Sequence, residues 1–363
     1  MNAPMNRERL VSVDAFRGAT VAAMILVNNP GDWGHIYDPL EHAKWHGWTP
    51  TDLIFPFFLF LVGASLAFSS RDTTRAAAIR ALKIFGLGFF MAFYPRFNLE
   101  TVRIPGVLPR IALCYFAAFL IKKYFGPRAV AVIAALCCLG YWFLMTVVPV
   151  PGGVAPNLEP STNLGAWLDR VVFGKHLWVS SKTWDPEGLL SSLPAIGTTL
   201  FGYLAGTLFR QGLEPAEIIR RLTLSGVLMT FSGLMWDTVF PINKSLWTSS
   251  YVLFTAGLAS LGVAVFYWIA DVKGFKAGLQ PFVIYGVNAI VVFVGSGLLA
   301  KTMGLIKLPL DGTMVSSQVF LYRTFFLSWL EPLNASLAYA VANVVFWYAI
   351  LWWMDRRHLH IKV

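Results

Sequence analysis

Long apolar runs alternate with short polar connectors along most of the chain. Ten runs approach the length needed to cross a hydrocarbon core of about 30 Å. They cover 10–28, 52–70, 76–94, 107–122, 128–148, 189–209, 218–240, 246–270, 280–300 and 334–354. Each predicts a membrane-spanning helix, since a membrane barrel would read as alternating segments of about ten residues. An eleventh stretch, 313–330, is shorter and is interrupted by Ser316, Ser317, Gln318 and Arg323. The expected class is an all-α membrane protein, a polytopic bundle of about ten transmembrane helices, or eleven if 313–330 spans. A single domain covers 1–363, with no soluble domain and no internal repeat visible.

Composition agrees with this pattern. The 363 residues are 56% hydrophobic and only 13% charged, with mean hydropathy +0.61. Soluble domains carry about 25% charged residues. The first nine residues are polar, and Asp14 and Arg17 interrupt the apolar core that a cleavable leader needs, so the first helix is expected to remain. Cys114, Cys137 and Cys138 all lie inside apolar runs, which argues against a disulfide framework and a metal site.

Charge then orients the bundle. The net charge of +10 reads as loop asymmetry, not as nucleic-acid binding. Arg7, Arg9, Arg71, Arg75, Arg80, Lys122, Lys123, Arg128, Arg210, Arg220, Arg221, Lys273, Lys276, Arg356, Arg357 and Lys362 all fall on one side if the number of spans is even. By the positive-inside rule that side is the cytoplasm, with both termini there. An eleventh span would put the basic C-terminal end outside, so 313–330 is read as an amphipathic or re-entrant segment. The other side receives 29–51 and the 149–188 loop, the one connection long enough to form a lid.

Polar groups in or beside apolar helices need partners or a task, because a mid-bilayer charge costs on the order of 3 kcal/mol. Asp14 and Arg17 suit either an i,i+3 ion pair or the wall of a polar cavity. Asn28 and Asn29 suit a helix C-cap, or an amide that orients a carbonyl. His42 and His46, four apart, leave three readings open: interfacial histidines, a zinc site without a supporting motif, or a general base or acyl acceptor. Asp52 follows Thr49-Pro50-Thr51 as in a capping box, which does not prevent it from orienting a histidine. Arg96, Arg103 and Arg110 run against the charge bias and either snorkel or line a polar site. Asp185, Glu187, Asn243, Lys244 and Asn288 add polar groups at or within other helices, as a shared pocket in a bundle would require.

Five blocks carry a resemblance: 10–18 (LVSVDAFRG), 42–56 (HAKWHGWTPTDLIFP), 103–110 (RIPGVLPR), 185–194 (DPEGLLSSLP) and 241–251 (PINKSLWTSSY). In this order they resemble the heparan-alpha-glucosaminide N-acetyltransferase family, from about residue 10 onward. The resemblance implies transfer of an acetyl group from cytoplasmic acetyl-CoA to a glucosamine-type amine across the membrane. It implies that His42, in His42-Ala43-Lys44-Trp45, is the catalytic histidine, with Asn28 and Asp52 beside it. His46 stands where the lysosomal enzyme of the family has Asn, and the loop from Asn28 to His42 is longer. Trp45, His46, Asp14, Arg17, Arg103, Arg110, Asp185, Glu187, Asn243, Lys244 and Asn288 are expected around the acceptor. Arg71, Arg75, Arg80, Lys122 and Lys123 are expected around the phosphates of acetyl-CoA. No metal is expected. A bacterial inner membrane is the natural location, with lipid as partner and a homodimer as one open assembly. A transporter of amino sugars or N-acetylated sugars is the rival reading, since polar groups inside a helix bundle suit that as well.

Overall fold

The computed structural model describes residues 10–69 and 73–361. It is an all-α membrane protein. Its helices are α1 (Val11–Asn28), α2 (Ile54–Phe68), α3 (Thr74–Phe93), α4 (Val107–Tyr124), α5 (Pro127–Thr146), α6 (Leu164–Phe173) and α7 (Ser192–Leu208). There follow α8 (Pro215–Asp237), α9 (Ser249–Tyr267), α10 (Gln280–Val287), α11 (Ala289–Leu305), α12 (Ser317–Tyr322) and α13 (Pro332–Arg356). A two-stranded hairpin, β1 (Lys307–Leu310) and β2 (Thr313–Ser316), links α11 to α12.

Among the described residues, seven helical stretches are long and apolar enough to cross a membrane, eight with the α10–α11 pair counted as one. This is fewer than the ten expected runs, and the difference has local causes. The α4 run carries Arg110, Lys122 and Lys123. The α7 run is only 17 residues long. The expected span 280–300 is broken at Asn288, where α10 and α11 meet at 66°. Segment 313–330 forms no long helix: it divides into β2, the six-residue α12 and a wider turn, Arg323–Leu327.

Without water between helices in lipid, close backbone packing holds a bundle together, and small residues permit it. Gly63 on α2 faces Thr199 of α7, and Gly202 of α7 faces Phe60 of α2. A Cβ at either glycine would collide with the opposing carbonyl oxygen. Gly18 of α1 lies in the same way on Phe282 and Gly286 of α10. On α8 and α9, Gly233 faces Phe254 and Gly257 faces Thr230. Beside the α1–α10 and α2–α7 contacts lies a cavity that α1, α2, α3, α4, α10 and α11 line together.

The 149–188 connection is folded. Its helix α6 places Asp169 in the interior, where Oδ2 accepts from the backbone N–H of Asp185 and Oδ1 from that of Leu189. Burial pushes the Asp169 carboxyl up to about 6, against the pull of those two N–H donors. Asp169 thereby pins Asp185-Pro186-Glu187-Gly188, the turn that delivers one side chain, Glu187, to the cavity.

Candidate active site

The cavity holds about 610 Å³. Ile54 and Phe68, the two ends of α2, both line it. It therefore runs the length of that helix, about 20 Å at 1.5 Å per residue. One end is lined by Asn28, His42, Thr51, Glu187 and Lys244, the other by Arg17, Ser65, Ser69 and Arg80. The middle is apolar, with Val62, Ile84, Ile111 and Phe58.

At the first end, Pro50 starts a short 3₁₀ turn, Pro50–Leu53, that leads into α2. Asp52 is 1% exposed and divides its two oxygens. Oδ2 accepts from the backbone N–H of Ala43 at 3.0 Å and of Thr49 at 3.0 Å, closing the capping box. Oδ1 lies 2.7 Å from Nδ1 of His42. Both readings of Asp52 are thus met by one carboxylate. Tyr251 of α9 fixes the turn from behind, donating its hydroxyl to the Asp52 carbonyl at 2.5 Å.

A carboxylate only accepts, so in the neutral ring Nδ1 of His42 carries the proton and Nε2 presents a lone pair. Nε2 belongs to a half-exposed ring on the cavity wall. Lys244 approaches the ring with Nζ 3.1 Å from Nε2, 3.2 Å from Nδ1 and 3.9 Å from Asp52 Oδ1. Burial lowers the Lys244 ammonium below its ordinary value, with Asp52 and Glu187 pulling the other way.

Asn28 ends α1 on the same stretch of wall. The helix-terminal bond is made by its neighbour, since Asn29 Nδ2 donates to the Ile25 carbonyl at 2.8 Å. Among the described residues the Asn28 amide has no such bond, which leaves it facing the cavity.

Other expected site residues separate. His46 meets Asn243 at 3.4 Å, and Trp45 donates to the Leu158 carbonyl at 3.0 Å while packing on Trp184. Neither lines the cavity. Asn243 is buried and braces its own loop, accepting from Leu246 N at 2.9 Å. Arg103 grips Asp185 through two bonds, Nε to Oδ2 at 2.8 Å and Nη2 to Oδ1 at 2.5 Å, and reaches Glu187 at 2.5 Å. Burial would draw the Arg103 guanidinium down, but the two carboxylates outweigh it and hold it above its ordinary value. Arg110 is buried against Trp247, donates to Gly188 O at 2.9 Å and bonds Ser191. These two arginines brace the Asp185–Gly188 turn without lining the cavity.

Three expected acceptor residues lie at the opposite end. Arg17 pairs with Asp14 at 3.0 Å and donates to Ser65 Oγ at 2.5 Å, one turn before Ser69. Asn288 sits at the α10–α11 break and accepts from the backbone N–H of Ile361 at 3.3 Å, and Ile361 itself lines the cavity. Of the residues expected at the phosphates, Arg80 lines this end, with its guanidinium 4.8 Å over Tyr115. Lys122 donates to Leu66 O at 2.8 Å and Lys123 to Thr74 Oγ1 at 2.7 Å. Arg75 is exposed at the start of α3. Arg71 lies outside the described residues.

Over residues 9–233 the chain matches the family model described as heparan-alpha-glucosaminide N-acetyltransferase, catalytic. It is 28% identical to the Homo sapiens protein named heparan-alpha-glucosaminide N-acetyltransferase, over 79% of this chain and 52% of that protein. With the Mus musculus protein of the same name it shares 27% identity, over 80% of this chain and 54% of that one. The chain spans about half the length of these curated relatives.

Proposed function

The chain belongs to the heparan-alpha-glucosaminide N-acetyltransferase family, and from that premise we propose that it moves an acetyl group from acetyl-CoA to the amine of a glucosamine-type sugar. The observation that carries this reading is the pairing of His42 with Asp52 at one end of a long cavity. Transport has no need of an imidazole held in one tautomer; abstraction of a proton from an amine does.

The donor lies along the cavity, its phosphates near Arg17 and Arg80 and its thioester near Asn28 and His42. Arg17 and Arg80 replace most of the sequence-expected phosphate residues in this role because they line the cavity. The Asn28 amide donates to the thioester oxygen as negative charge develops there. His42 Nε2 takes the proton of the attacking amine, and Asp52 stabilises the resulting imidazolium. Glu187 supplies a carboxylate on the acceptor side.

We read α4 and α7 as crossing the membrane as well, which restores ten spans. Both are enclosed by other helices: α7 alone buries Ser192, Pro194, Ala195, Gly197, Thr198, Thr199, Leu200, Gly202 and Gly206. A helix wrapped by protein needs less apolar length than one facing lipid. Ten spans put both termini in the cytoplasm and the His42 end on the far side, as the arginine and lysine pattern requires. A bacterial inner membrane fits this arrangement.

The test is acetyl transfer by purified protein in lipid, with acetyl-CoA and glucosamine. His42→Ala should lower the rate by roughly 10²–10⁴, the worth of general-base help. Wild-type rates in that variant would remove His42 from the mechanism.

A further inference from the structure

Lys244 holds a position with a consequence beyond shaping the pocket. Its loop, between α8 and α9, is pinned at both ends. Ile242 N donates to Asp237 Oδ1 at 2.5 Å, Asn243 N to Thr248 Oγ1 at 3.0 Å and Leu246 N to Asn243 Oδ1 at 2.9 Å. Trp247 closes the loop, fully buried with φ of 53°. The fixed backbone aims the Lys244 stem at the cavity wall, where its amine ends 3.1 Å from His42 Nε2.

That position has chemical meaning. Nδ1 of His42 is committed to Asp52, so Nε2 is the atom that receives a proton from an acceptor amine. An acceptor amine must come within hydrogen-bond reach of Nε2, on its cavity side. A primary amine of this chain already stands within that reach, over the face of the ring at 3.1 Å from Nε2 and 3.2 Å from Nδ1, at the same cavity wall. The oriented base, the amine and the donor channel together are the parts of an acceptor site.

We propose that Lys244 is an internal acetyl acceptor: when no sugar amine is bound, the acetyl group of the thioester passes to Lys244 Nζ. This rests on the acetyl-transfer reading. The Lys244 ammonium gives one proton to His42 Nε2, which releases it to solvent. The amine lone pair then attacks the thioester carbonyl carbon and the C–N bond forms. As the intermediate collapses, the C–S bond breaks, and the second proton leaves with the sulfur as free thiol. The product is a neutral Nε-acetyl-lysine and one CoA thiol per chain. The acetylated side chain fills the acceptor position and no longer offers a cation to Asp52, so the chain blocks itself after a single turnover.

Among the described residues, the charged or titratable groups that face the amine are His42, Asp52 and Glu187, the last held by Arg103. Burial outweighs the two carboxylates and increases the neutral-amine fraction relative to an exposed lysine. Self-acetylation therefore rises with pH, with a midpoint below the ordinary lysine value of about 10.4.

The experiment uses the full chain in lipid nanodiscs with isotopically labelled acetyl-CoA and no sugar, followed by proteolysis and mass spectrometry. One acetyl group is expected on Lys244, accumulating faster than on the exposed Lys44 and Lys182. Glucosamine should suppress the label as it fills the site, and His42→Ala should lower it at least about 100-fold. The proposal is overturned if the protein acetylates glucosamine but, incubated with acetyl-CoA and no sugar, leaves Lys244 unlabelled. It is also overturned if Lys244 labels at the same rate with and without His42, as simple chemical acetylation would. If neither glucosamine nor Lys244 is acetylated, the acetyl-transfer reading fails and this inference falls with it.

Discussion

Asp52 joins a helix cap and a histidine contact in one carboxylate. Its Oδ2 accepts from the loop N–H groups of Ala43 and Thr49, and its Oδ1 faces His42. Asn at this position can serve only one side. If Nδ2 turns to His42, the ring must take the other tautomer and Nε2 loses its lone pair. If Nδ2 turns to the loop, two backbone donors lose their acceptor. Asp52→Asn is therefore expected to lower acetyl transfer by about 100-fold or more. Thr49→Val, which deletes only hydroxyl contacts to Glu41 and Asp52, should cost thermal stability and leave the rate close to wild type. Rate measurements on both variants separate cap from orienter; a wild-type rate in Asp52→Asn would reduce Asp52 to a cap. At this scale the sequence was largely readable. Spacing alone exposed the capping box, and the family block favoured His42 over His46. Lys244 was not readable as a contact of His42, because 202 residues separate the two and no local pattern reports such a distance.

At the level of helices, apolar run length located the elements to within a few residues, since lipid imposes one requirement on every span. Helix length and composition within the fold mark fewer spans than the runs where protein replaces lipid around a helix. The short α7 and the charged α4 lie among other helices, and the break falls at Asn288, whose amide oxygen accepts from the Ile361 N–H. What holds the elements together is also local and testable. Gly202 of α7 abuts the Phe60 carbonyl of α2, so Ala there must force the two helices apart. Overpacking of a rigid contact costs about 3 kcal/mol at its upper end. Gly86 of α3 has open space where its Cβ would stand. Gly86→Ala should be neutral or slightly stabilising, by the better helix propensity of Ala. Thermal unfolding in matched detergent should therefore show a clear drop for Gly202→Ala and none for Gly86→Ala. Equal midpoints would mean that the α2–α7 contact is looser than its geometry.

The whole molecule places its two polar ends about 20 Å apart along α2, joined by an apolar channel. Sequence reading gathered Asp14, Arg17 and Asn288 with the acceptor residues, whereas they lie at the opposite end from His42. Which end a helix residue serves depends on chain direction through the bundle, and which wall it serves depends on helix rotation. The charge pattern already gave the direction of the first helix and so put Asp14 and Arg17 opposite His42, but helix rotation is not encoded in a residue's neighbours. On the acetyl-transfer reading proposed above, the separation has a consequence: the donor threads the channel to bring its thioester to His42. Val62 lies on the channel wall, so Val62→Trp should obstruct it without touching Asn28, His42, Asp52 or Lys244. Transfer from acetyl-CoA should then fall at least about 100-fold, as positioning of the two reactants is lost. A short acetyl thioester without the nucleotide needs no passage past residue 62 when it enters from the His42 end. Its slower transfer, deprived of the remote binding that phosphates supply, should be the same in Val62→Trp and wild type. Loss of both activities would point to a damaged His42 end, and retention of both would mean that acetyl-CoA reaches His42 by another route.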